Sequence, residues 1–147
     1  MDATTMPSLN KLVAKLRQDY PELNITSGEC AKFTPPRSIF YSKDTTPIEL
    51  LHELGHYLIK RTSYASDIEL VRIESEAWAK AEDLCKTYGV KWDDDLAQDH
   101  LDTYRNWLHV VSLCINCQLA GYQDETGIYH CPLCGKKWPS SIPPEDF

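Results

Sequence analysis

His52-Glu53-Leu54-Gly55-His56 sets two imidazoles four residues apart with a carboxylate beside the first. On a helix that spacing puts both rings on one face, close enough to share a zinc ion. Glu53 then lies beside the metal's remaining position, where it can take a proton from a water that the metal has made acidic. The pattern assigns His52 and His56 as zinc ligands and Glu53 as general base of a hydrolytic site. A second set is Cys114, Cys117, Cys131 and Cys134, two C-x-x-C pairs separated by thirteen residues. Four thiolates close a tetrahedral site with no open position, so a zinc held there is structural. Two disulfides are the competing reading, and a reducing compartment argues for metal. His130, next to Cys131, is expected to stand outside this ligand set.

The elements that must position these groups are also legible. Thr46-Pro47-Ile48-Glu49 is a capping box with proline at the first helical position, which predicts a helix over 47–61. At about 100° per residue, Leu50, Leu51, Leu54, Tyr57 and Leu58 share one arc, while Glu49, His52, Glu53, His56 and Lys60 share the other, facing away from the core. Gly55 lets another segment approach closely. Ser66-Asp67-Ile68-Glu69 is a second capping box, opening a helix over 67–88 that Gly89 stops.

A catalytic zinc generally takes a third protein ligand. Glu74 lies within the apolar stripe of the second helix, among Leu70, Val71, Ala77 and Trp78, whereas Glu76 lies off it. A carboxylate facing a core is costly unless it is paired or holds metal, so Glu74 is the candidate. Pairing with Arg72 or Arg105, or reaching out at the stripe's edge, is the alternative for it.

HELGH followed by Glu74-Ser75-Glu76-Ala77 resembles the ImmA/IrrE group of intracellular metalloproteases, whose pattern is a HELxH helix and then a helix bearing E-x-x-A-N-x-F-A. The resemblance covers roughly residues 8–88. It implies a minigluzincin-like fold, ligands His52, His56 and Glu74, Glu53 as base, and cleavage of transcriptional repressors or similar regulators. It also implies that Pro35–Ser42, which reads as a strand, is the edge strand that aligns substrate. The chain departs from the pattern at Trp78, where the group tends to have Asn or Asp, and at Lys80. The first departure removes a usual hydrogen-bonding partner for a ligating histidine. The order of HExxH domain and four-cysteine ribbon is also similar to SprT-like proteases, which act on DNA-bound proteins and use a histidine as third ligand; no histidine lies between His56 and His100. A non-catalytic adaptor on a protease-like scaffold is the remaining reading.

The expected architecture is α+β: a small zincin-like metalloprotease domain over residues 1–111, a zinc ribbon over 112–138 and a C-terminal tail over 139–147, loose from Ser140. Helices are predicted over 8–20 and from about 95 to 111, and strands near 23–28 and 37–42, with a hairpin in the ribbon turning near Asp124–Gly127. In the last helix Ala97, His100, Leu101, Tyr104, Leu108 and Val111 share a stripe, which makes His100 a core histidine rather than a catalytic one. Asp93–Asp95 reads as the start of that helix. The oxyanion-stabilising donor stays open among Tyr57, Tyr64, His100 and Tyr104.

The net charge of −7 is concentrated in residues 48–108, with 13 acidic against 7 basic side chains. That is no electrostatic footprint for nucleic acid, so protein is the expected partner as substrate, with the ribbon either docking protein or serving structure alone. No apolar run reaches the length of a membrane span, and no basic start precedes an apolar stretch as in a leader. With four of six cysteines on metal and Cys85 on a core stripe, a cytoplasmic location and two zinc ions, one catalytic and one structural, are the expectation.

Overall fold

The computed structural model describes residues 7–144, and among them the chain is α+β. The first six residues of the expected protease domain and residues 145–147 of the expected tail lie outside the described residues. The chain packs as two compact units. One is built on the chain up to Thr62 together with Ser75–Asp94, the other on Ser63–Glu74 together with the chain from Asp95 onward. The division falls inside a single unbroken helix.

In the first unit, α1 (Leu9–Asp19) is capped by Ser8, whose hydroxyl accepts from the Lys11 amide, and buries Leu12, Val13 and Leu16. A three-stranded sheet follows: β1 (Asn24–Ser27), β2 (Lys32–Thr34) and β3 (Ser38–Tyr41), in the order β1-β3-β2. β3 runs parallel to β1 and antiparallel to β2, with Ile25 opposite Ile39 and Phe33 opposite Ile39 on the other side. This corrects the expected edge strand. The strand within Pro35–Ser42 is the central one, because Lys32–Thr34 folds back on it through a turn at Pro35–Arg37 and takes the edge.

Helix α2 (Pro47–Ile59) starts as the sequence demands. The Thr46 hydroxyl accepts from the Glu49 amide and the Glu49 carboxylate accepts from the Thr46 amide, at 3.3 and 2.9 Å; such a cap stabilises a helix by about 1 kcal/mol. It ends two residues earlier than expected because Lys60 takes the left-handed conformation, φ 58°. Leu50, Leu51 and Leu54 are fully buried, each contributing roughly 2 kcal/mol of apolar burial. Helix α3 (Asp67–Tyr88) matches its expected bounds. Ser66 accepts from the Glu69 amide, although Glu69 reaches back to the amide of Ala65 and not of Ser66. At the far end Gly89 (φ 69°) lets the Val90 amide close on the Cys85 carbonyl at 2.9 Å, a Schellman stop. Cys85 is buried, and burial pushes its thiol up to about 11.

The second unit holds the start of α3, helix α4 (Asp94–Val111) and a second sheet of β4 (Tyr122–Gln123), β5 (Ile128–His130) and β6 (Lys137–Pro139), antiparallel in that order. Ala97, Leu101, Tyr104 and Val111 are buried, His100 is half-buried and His109 exposed, so the stripe of α4 runs as read. Tyr129 stacks on Trp138, whose indole donates to the Val111 carbonyl at 2.7 Å. Asp67, the first residue of α3, is buried and accepts from Tyr129, Ser140 and Gln123, while its amide donates to Gln123. The expected looseness from Ser140 therefore fails at its start: Ser140 is tied to Asp67, and Ser141 accepts from the Trp107 indole at 3.0 Å. No helix among the described residues is long and apolar enough to cross a membrane.

Candidate metal centres

The HExxH helix carries its two histidines on the face opposite Leu50 and Leu51, but that face is covered. His52 and His56 are 7% and 6% exposed. This corrects the expectation that they face away from the core: periodicity finds the apolar arc of α2, while α3 packs over the polar arc. The approach is close at Gly55, where an added Cβ would stand 2.6 Å from the Ala77 carbonyl oxygen. One residue on, the Trp78 indole lies flat against the His52 imidazole, centroids 4.0 Å apart and planes within 12°.

Glu74, one helical turn before Trp78, is 4% exposed. One donor atom from each of His52, His56 and Glu74 lies within 4.8 Å of the others. Two imidazole nitrogens and a carboxylate oxygen form the donor set of a catalytic zinc, and three such groups buried together fit a divalent cation far better than they fit an apolar core. Glu76 goes the other way, making an ion pair with Arg61 at 2.6 Å at the surface. Arg105, considered as a partner for Glu74, is engaged with Gln98 and Asp102.

Glu53 is not a member of this group. Its Oε1 accepts from the Phe33 amide on edge strand β2 at 2.7 Å, and its Oε2 lies 3.9 Å from His52 Nε2. One oxygen is thus held by the sheet and the other turned toward the ligands. Nothing in the sequence announced this amide. Of the candidate oxyanion donors, Tyr57 already donates its hydroxyl to Glu22 at 2.6 Å.

The four cysteines of the ribbon also converge, with their sulfurs within 4.8 Å of one another. Both C-x-x-C turns have the same backbone. Cys114 N–H donates to Leu119 C=O and Gln118 N–H to Cys114 C=O; Cys131 N–H donates to Lys136 C=O and Gly135 N–H to Cys131 C=O. Gln118 and Gly135 occupy the same left-handed position, φ 59° and 77°. In the second turn the amides of Cys134 and Leu133 point at Cys131 Sγ and pull that thiol down to about 6, the Cys134 amide most strongly. Such amides favour thiolate, the form that binds metal. All six cysteines are free of disulfides. His130 stands outside the cluster, bonded to Asp124 at 2.6 Å and stacked on Tyr122. Asp124 also receives the Thr126 hydroxyl and amide and the Ile128 amide, and these donors, the hydroxyl foremost, hold its carboxyl well below the usual carboxylate range.

Two groups in the described residues can therefore hold metal, one of two histidines and a glutamate and one of four cysteines. Neither a family model, nor a curated protein, nor a solved structure matches this chain, so the residues themselves carry the argument.

Proposed function

We propose that the chain is a zinc-dependent endopeptidase of the ImmA/IrrE type, acting inside the cell on a protein substrate such as a transcriptional regulator. The observation that carries this reading is the convergence of Glu74 on the two histidines of HExxH, with Glu53 beside the group but outside it. His52, His56 and Glu74 would hold zinc, leaving a fourth position open. Bound there, zinc supplies the Lewis acidity that polarises a peptide carbonyl and makes water a nucleophile near neutral pH. Glu53 takes the proton of the attacking water through Oε2, while the Phe33 amide keeps Oε1 in place, and it returns the proton to the leaving amine. Burial of the ligands places them in a low-dielectric setting, which strengthens their hold on a cation. Cys114, Cys117, Cys131 and Cys134 would hold a second, structural zinc with no open position. The glutamate in the third place favours this reading over the SprT-like one, and the intact Glu53 favours it over an adaptor.

The test is Glu53→Gln, which keeps size and hydrogen bonding but cannot accept the proton. Zinc content and melting temperature should stay at wild-type values, while cleavage falls by roughly 10²–10⁴-fold, the worth of a general base. The assay uses intact proteins, beginning with transcriptional repressors encoded beside this gene. A variant that cuts as fast as wild type refutes the role of Glu53, and a wild type that cuts none of them with both zincs bound favours the adaptor.

A further inference from the structure

We propose that Trp78 is a positioning residue of the histidine–glutamate metal centre, acting through His52. The proposal rests on the metal reading of that centre, not on peptidase activity. An imidazole offers its lone pair only in the ring plane, so a ligating histidine must have its plane fixed. The usual device is a hydrogen bond to the second ring nitrogen, and losing it typically costs 10–100-fold in metal affinity. Here the structure places an indole face against the ring. The two planes lie within 12° at 4.0 Å, and Trp78 is 2% exposed. His56 meets His52 edge-on at 4.6 Å and 70°, so His52 is confined between a plate on its face and the second ligand.

The plate is itself held. Trp92 packs edge-on against Trp78 at 6.3 Å, and the preceding residue, Ala77, is the point at which α3 presses its backbone on Gly55 of α2. Trp78 also stands four residues after Glu74 on α3, hence on the same helix face. One face of α3 thereby supplies a ligand and the surface that orients another ligand.

The test compares Trp78→Phe, which keeps an aromatic face, with Trp78→Leu, which keeps apolar bulk without one. Zinc affinity at the histidine–glutamate centre is read by chelator competition, with ribbon zinc and melting temperature as controls for folding. Trp78→Phe should bind within about threefold of wild type and Trp78→Leu on the order of tenfold or more weaker, with the ribbon zinc retained and with melting temperatures lowered by comparable amounts in the two variants, since both lose buried volume. A spectroscopic arm needs no affinity change. Cobalt titrated into protein whose ribbon holds zinc should quench indole emission strongly in wild type and clearly less in Trp78→Phe, where Trp92 is the indole left near the centre. Leucine and phenylalanine variants that bind zinc equally well, or emission that ignores cobalt bound at the histidines, would overturn the proposal alone. Wild-type protein that takes up metal only at the cysteines would overturn it together with the metal reading.

Discussion

Replacing Gly55 by Ala adds one methyl group at the place where α2 and α3 touch. In a helix interior that change normally stabilises by about 1 kcal/mol, because glycine is a poor helix former. Here the new Cβ would lie 2.6 Å from the Ala77 carbonyl oxygen, against the 3.4 Å at which ordinary contact begins. The deficit of about 0.8 Å cannot be relieved by a side-chain rotation, since the obstacle is backbone. The helices must part or tilt, and overpacking of this kind costs about 1–3 kcal/mol. Net stability should therefore fall by about 0–2 kcal/mol, measured by urea unfolding. The metal centre should suffer more. His52 and His56 flank Gly55 on α2 and Glu74 is on α3, and coordination tolerates only about 0.2 Å of error in ligand distances. Zinc affinity at that centre, by chelator competition, should drop on the order of tenfold or more, with ribbon zinc unchanged. A variant that gains the full helix-propensity stability and binds zinc like wild type would refute the close approach on which the site depends.

Two further outcomes follow from particular side chains. Glu74→Gln should weaken the same zinc on the order of tenfold or more by removing an anionic ligand, whereas Glu76→Gln breaks only the surface pair with Arg61, worth about 0–1 kcal/mol, and should leave zinc affinity alone; the reverse result would mean that the face of α3 is misassigned. Asp67→Ala strips an acceptor from the Tyr129 and Ser140 hydroxyls in a buried place, and with hydrogen bonds to charged groups worth about 1.5–3 kcal/mol each it should loosen β4 and β5, seen as faster amide exchange there; unchanged exchange would show that Asp67 does not anchor the ribbon.

The elements that carry chemistry were legible because each is announced locally. Thr46, Pro47 and Glu49 mark the start of α2, and Gly89 stops α3 at the expected residue. The two C-x-x-C turns are fixed by their own backbone bonds, so spacing alone reveals them. Glu74 could be chosen over Glu76 because helical phase separates a buried carboxylate from an exposed one by half a turn. What sequence did not reveal is what depends on neighbours distant along the chain. The apolar arc of α2 is visible in its periodicity, but the helix that covers the opposite arc, and so buries both histidines, is not. Three-residue strands such as β2 and β6 are too short to show a period, and β2 is masked further by Pro35 and Pro36. Its displacement of β3 from the edge, and the Phe33 amide it brings to Glu53, could be read only from the fold. The sequence shows Trp78 only as a bulky residue on the apolar stripe of α3, and its stacking on His52 is visible only in the fold.

The most direct measurement is zinc stoichiometry by atomic emission on three purified proteins: wild type, the double variant His52→Ala/His56→Ala, and the double variant Cys114→Ser/Cys117→Ser. Wild type should hold two zinc ions per chain and each variant one, the cysteine variant losing the ion that orders residues 112–139. A wild-type protein with a single zinc that survives the histidine substitutions would contradict the metal reading of the histidine–glutamate centre.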